Sequence, residues 1–388
     1  MYQRKCTDIC GIIAEYNPLH KGHVHHLLKT KEITGCDHVI AIMSGDFVQR
    51  GEPAICNKYE RTRMALQSGV DVVIELPVVY ALSSAEGFAR GAIGILDSLG
   101  CVDSLCFGSE CGNIEDLRKL SEIPTASSSI KKDIKKGLSF AASLGKTITP
   151  DDKSDNIVSS PNNILGIEYL RALNFFNSSI IPYTITRKGA SYESKGIDHS
   201  LKFASARAIR KSVKEGGSEH RSYIPEYVND ILNNSSDIDS DMFSDILYYK
   251  LLSEESRGFD SYLDVNEELS HKIIKNLHDF KTVTSFTMLL KSKNLTYSRI
   301  SRCLFHILLD IKKEDAQTSP QYVRILGFRK DGSDILNLMK KNTSLPLITK
   351  LSDAPKNKML QKDIQSSFIY EKVAKSDINE YCMSPVII

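Results

Sequence analysis

Apolar positions along the first half of the chain follow two alternating periods. Short runs of strand length, most rich in β-branched residues, occur at 9–14, 38–43, 70–75, 102–107 and 180–186. Between them lie stretches with helical spacing, including 21–31, 58–68 and 85–99. Strand–helix alternation of this kind predicts an α/β fold, a doubly wound parallel sheet with helices on both faces. Such sheets bind ligands at the carboxyl ends of their strands. The informative polar segments follow those ends: 15–23 after the first run, 44–53 after the second, 108–110 after the fourth and 187–192 after the fifth.

The pattern weakens between 124 and 160 into a basic helical stretch (Lys131, Lys132, Lys135, Lys136) and a polar loop, read as an insertion near the site. Ser160-Pro161-Asn162 then supplies helix-start chemistry ahead of an apolar face. Gly216-Gly217 interrupts the chain, and beyond it the pattern is mostly helical with one strand candidate at 322–328. The expected division is a catalytic domain over 1–215 and a mostly helical domain over 216–388.

Composition narrows the class. With 388 residues, 41% hydrophobic and 25% charged, the chain is long enough for two domains with a sizeable core. No basic N-terminal region precedes an apolar stretch, and no apolar run approaches the roughly 20 residues of a membrane span, so no membrane partner and a cytoplasmic location are expected. The nine cysteines are odd in number and lack any C-x-x-C pair, which favours reduced thiols and no metal site. A net charge of +2 excludes a grossly basic nucleic-acid binder but not a local basic patch.

The segment after the first strand carries the chemistry. His20 and His23 stand where a strand gives way to a helix, with Gly22 between them, and such a junction presents backbone N–H groups and a positive helix end to phosphates. Gly108 lets the main chain approach a flat ring; an ordinary turn would use it equally. Asn162 and Asn163 offer amides to a base or ribose, or serve as helix caps. Ser205 and Arg210 are spaced to hold phosphates from a helix start, although Lys202, Arg207, Lys211 and Lys214 around them also describe a solvated basic helix.

At this point a resemblance becomes specific. H-K-G-H (20–23) resembles the H-x-G-H signature of the nucleotidyltransferase and class I synthetase-like superfamily, and 205–210 is similar to its second phosphate motif. More narrowly, E-Y-N-P-L-H-K-G-H, M-S-G-D-F-V-Q-R-G-E-P-A, R-T-R-M-A-L-Q-S-G-V-D-V-V-I-E-L-P, F-G-S-E, S-P-N-N-I-L-G-I-E-Y-L and A-S-A-R-A-I-R resemble the bacterial tRNA(Met) cytidine acetate ligase family. The blocks cover most of 8–110 and about 160–212.

The resemblance implies that acetate and ATP form acetyl-adenylate, and that the acetyl group passes to the wobble cytidine of elongator tRNA(Met), giving N4-acetylcytidine. It implies catalytic roles for His20, His23 and Arg210. It implies an ATP site formed by Ile13, Glu15, Tyr16, Asn17, His20, Gly22, His23, His26, Gly108, Asn162 or Asn163, Arg187, Lys188 and Ser205. Ser44, Gln49 and Arg50 are expected to face acetate and the incoming base, and Lys202, Arg207, Lys211 and Lys214 to contact tRNA phosphates, with Arg299, Arg302 and Lys312 as further candidates. Mg²⁺ is expected to arrive on ATP rather than on a protein site. Where the family is expected to carry an aromatic–histidine pair after Arg187, this chain has Tyr192-Glu193. Two other readings fit less well: nucleotidyl transfer to a small phosphorylated cofactor precursor leaves the long region after 215 without a task, and an RNA-binding protein that holds ATP only structurally would not need His20, His23 and Arg210.

Overall fold

The computed structural model describes residues 7–124, 157–158, 160–187, 197, 200 and 202–388. The basic stretch at 131–136, Lys188 and Tyr192-Glu193 lie outside the described residues.

Five parallel strands form the centre of one sheet: β1 (Ile9–Ala14), β2 (His38–Ser44), β5 (Val72–Leu76), β6 (Ser104–Ser109) and β7 (Ile181–Thr186), in the order β5-β2-β1-β6-β7. β3 (Phe47–Val48) and β4 (Glu52–Pro53) form a small antiparallel hairpin between β2 and β5. Alternation along the strands sorts the core. Ile40, Ile42, Val72, Ile74 and Leu76 face the helices at Ala85–Ser98 and Pro161–Phe175, while Val39, Ala41, Met43 and Val73 face those at Lys21–Thr34, Lys58–Gln67 and Ala206–Lys214. The sequence places β1 at its observed ends. Its prediction for the third run starts early because Asp71 turns in ahead of β5, its carboxylate accepting Val39 N–H at 2.8 Å.

The chain leaves β1 toward β2 and β5 and later returns beside β1 as β6, so the order reverses there, the switch point at which sheets of this class open a crevice. The sheet draws strands from both sides of 216. β8 (Val323–Phe328) lies antiparallel to β5, and β9 (Leu347–Ile348) and β10 (Val386–Ile387) lie parallel to β8. The helices between 238 and 311 build their own core around Phe243, Phe286 and Phe305, which reaches the hairpin at Phe47.

A buried charge network seals the junction. Lys58 Nζ bonds Glu75 Oε1 and Ser367 Oγ, each at 2.8 Å, and pairs with Glu380. Arg324 pairs with Glu75 at 3.0 Å and Glu380 at 2.7 Å. Asp46 accepts Lys58 N–H at 2.9 Å and Ser367 Oγ–H at 2.7 Å. Each member is paired, as a charge without water requires.

Candidate nucleotide site at the strand ends

β1 ends in a main chain that turns sharply. Tyr16 takes a left-handed φ of 48°, and the Asn17–Pro18 bond is cis. His20 then caps the Lys21–Thr34 helix, its own N–H donating to His23 Nδ1 at 3.2 Å, while the two rings stack with centroids 3.7 Å apart. Gly22 permits this: a Cβ there would meet the His20 ring at 2.9 Å. Tyr16 meets His23 edge-on at 5.1 Å. Ile13 packs partly buried beside the core.

The imidazoles are held neutral. Burial first, then the Arg187 guanidinium, pushes His20 down to about 3 and His26 down to about 4. Burial and neighbouring His20 put His23 well below its ordinary value. Among the described residues, His20 Nδ1 and His26 Nε2 are buried without a hydrogen-bond partner, as are Asn17 Nδ2 and Ser44 Oγ. Unsatisfied buried nitrogens are costly, and several at one strand end mark a place built for a polar ligand.

On the β6 side, Gly108 brings the main chain close to Arg187 and His26; a Cβ would lie 3.1 Å from Arg187 Cγ. Arg187 follows β7, its N–H bonded to Ser109 O at 2.9 Å and its Nη1 3.4 Å from Asn162 Oδ1. The two asparagines have separate tasks. Asn163 is 1% exposed; its Oδ1 accepts Glu110 and Cys111 N–H and its Nδ2 donates to Ile157 O, which fixes the turn after β6. Asn162 donates to Glu110 Oε1 at 2.6 Å and faces Arg187.

On the β2 side, Glu15 Oε1 accepts Gln49 N–H at 2.9 Å. Burial raises its carboxyl above the usual range, with the Gln49 bond opposing. Arg50 is partly buried, within the fields of Glu15 and Glu52 on one side and Arg210 and Arg207 on the other. Ser205 caps its helix by accepting Ala208 N–H at 3.2 Å. Arg210 reaches back to Asn17 O at 2.7 Å and Glu52 at 2.5 Å, joining the 205–210 segment to the hairpin and the histidine turn.

The cations assigned to tRNA are unequal. Lys214 pairs with Asp239, and Lys211 lies 3.8 Å from Glu215. Lys202 and Arg207 are exposed. Arg299 and Arg302 turn to Asp264, and Lys312 sits over the Tyr262 ring.

Sequence reasoning passed over Arg61. Fully buried, it donates to Glu15 O at 2.8 Å, Ser44 O and Cys56 O at 3.0 Å, and Gly45 O, so it ties the ends of β1 and β2 together. Its place in an amphipathic helix reads as solvent-facing, and no local signal marks it otherwise.

A doubly wound sheet with an H-x-G-H turn at its switch point defines a nucleotidyltransferase-like protein, and residues 7–383 match the family model described as HIGH Nucleotidyl Transferase. Curated relatives named tRNA(Met) cytidine acetate ligase include one from Clostridium perfringens, 41% identical over 98% of this chain and 99% of the relative, and one from a Thermoanaerobacter species, 43% identical over 95% and 96%. The crystal structure of Thermotoga maritima TmcAL in its apo form matches with a TM-score of 0.91 at 31% identity, covering 98% of this chain and 99% of that one. The same protein bound with alpha-thio ATP matches at 0.89 and 30%. This chain belongs to the tRNA(Met) cytidine acetate ligase family.

Proposed function

We propose that the protein is an ATP-dependent ligase that activates acetate as acetyl-adenylate and transfers the acetyl group to the wobble cytidine of elongator tRNA(Met), forming N4-acetylcytidine. The observation that carries this reading is the set of buried, unpartnered nitrogens of His20 and His26 beside Arg187 at the switch point, in a chain whose near full-length relatives bear the ligase name. An acetate oxygen attacks the α-phosphorus in line and pyrophosphate leaves. Acetate is already ionised at neutral pH, so this half needs positioning and charge neutralisation rather than a base. In this reading His20, His23 and Arg187 donate to phosphate oxygens, with Arg210 and Ser205 on the leaving-group side. Gly108 and Asn162 border the nucleoside, and Asn163 shapes the turn that presents them. Lys188 stays in the assignment from the family pattern alone. Ser44, Gln49 and Arg50 face acetate.

Among the described residues no group of three or more His, Cys, Asp or Glu is placed to hold a metal. Mg²⁺ enters this reading as the counter-ion that ATP carries. We assign catalysis to 1–215, completed by the strands that return from the C-terminal part, and tRNA binding to 216–388 together with Lys202, Arg207, Lys211 and Lys214. No helix among the described residues is long and apolar enough to cross a membrane. A tRNA substrate places the protein in the cytoplasm. Exchange of labelled pyrophosphate into ATP is expected to require acetate; exchange that requires a phosphorylated cofactor precursor instead would sink the reading.

A further inference from the structure

Acylating a cytidine amine leaves a proton to be removed, and the phosphate-facing groups are poorly suited to take it. His20 and His23 are assigned to donate to phosphate oxygens, so neither is free to accept it, and burial holds His26 down to about 4 in the free protein. His23 lies well below its ordinary value for the same reason, burial.

Glu15 is the first residue past β1, the strand at the switch point. Its carboxylate makes one hydrogen bond among the described residues, Oε1 accepting Gln49 N–H at 2.9 Å from the loop assigned to acetate. It lies in no ion pair there. The buried Arg61 donates to the Glu15 carbonyl rather than to its carboxylate, at 2.8 Å. The charged and titratable groups that face it are Arg50 and Arg210, which favour its ionised form, Glu52, which opposes it, and the phenol of Tyr169 on the helix packed across the sheet. Burial outweighs the cations and raises the carboxyl above its ordinary value, which makes it a stronger proton acceptor than a solvated carboxylate.

We propose that Glu15 is a catalytic residue of the acetyl-transfer half, accepting the proton that the cytidine N4 amine loses as it attacks acetyl-adenylate. The N4–carbon bond forms, the bond from acetyl carbon to phosphate oxygen breaks with its electron pair leaving on AMP, and one N4 proton passes to the Glu15 carboxylate and then to solvent. The other stays on the new amide. Gln49 N–H fixes Oε1, and Arg61 fixes the main chain behind it, so Oε2 is the proton acceptor.

This inference rests on the acetate-ligase reading, and two assays keep the failures apart. Acetate-dependent pyrophosphate exchange reports the first half; single-turnover transfer from enzyme preloaded with acetyl-adenylate to saturating tRNA(Met) transcript reports the second. Glu15→Gln is expected to lose transfer by about 100-fold or more beyond whatever change its own exchange rate shows, with Glu15→Asp recovering part. Transfer within about threefold of wild type overturns the proposal, as does parallel loss of both halves in a folded variant. Should Glu15→Gln not fold, wild-type pH profiles decide: transfer is expected to fall toward acid through a raised carboxyl pKa while exchange does not, and superimposable profiles overturn the assignment. Absence of acetate-dependent exchange in the wild type is a different failure, that of the acetate-ligase reading itself.

Discussion

The turn from His20 to His26 collects imidazoles that are neutral because they are buried beside Arg187. A phosphate chain bound there as proposed brings negative charge to the same place and raises their proton affinity. ATP binding near pH 6 is therefore expected to take up protons, since the free protein holds these groups unprotonated down to about pH 4 and the bound one does not. Calorimetry in buffers of differing ionisation enthalpy checks this, and His26→Gln should reduce the uptake; proton release on binding would refute it. Without ligand the sign runs the same way for stability. The unfolded chain protonates these imidazoles near 6.5 and the folded one only near 3 to 4, so stability falls as pH drops between those values. His20, Gly22 and His23 were legible in the sequence because a strand, a turn and a helix start are local. The distinction between Asn162 and Asn163 was not, because it depends on Glu110 and Ile157 arriving from elsewhere.

Among the elements, the β3–β4 hairpin and the Ala206–Lys214 helix work as a pair. Arg210 bridges Glu52 and Asn17, so the helix proposed to face phosphates is registered against the loop proposed to face acetate. The hairpin in turn leans on the Tyr297–Leu308 helix at Gly51, where φ is +76° and a Cβ would lie 2.2 Å from Arg302 N, while Ser301 Oγ–H donates to Gly51 O. Gly51→Ala is expected to cost about 1–3 kcal/mol in chemical denaturation and to raise KM for acetate more than for ATP; a neutral variant would remove that contact from the account. On the Ala206–Lys214 helix, Arg207→Gln should lower the slope of log affinity for tRNA against log salt by about 1. Lys214→Gln should lower it less, because Asp239 already neutralises that cation. Equal slopes would refute this ordering. The sequence showed the basic helix but not Asp239 or Glu52 beside it, which come from other segments.

At the scale of the whole molecule, β8 and the charge network bind the two halves. The five parallel strands could be read from apolar runs, but the antiparallel insertion of β8 beside β5 and the burial of Lys58, Arg324 and Arg61 could not, since charged side chains ordinarily signal solvent. Glu380→Ala would leave Lys58 and Arg324 buried with less compensating charge. A loss of about 3–5 kcal/mol in urea unfolding is expected, and a change below about 1 kcal/mol would show that the network is hydrated and replaceable.

Glu380 reaches Tyr59 across 321 positions of sequence. Protein synthesis delivers Asp46, Lys58 and Glu75 early and Arg324 and Glu380 late, so a chain emerging from the ribosome holds β5 with an open edge and an incomplete charge network until β8, Glu380 and β10 have followed. For a protein proposed to modify a tRNA used in translation, this delays completion of the sheet until nearly the whole chain has been made, and fragments ending before Glu380 should be marginal substrates for folding and ready ones for proteolysis.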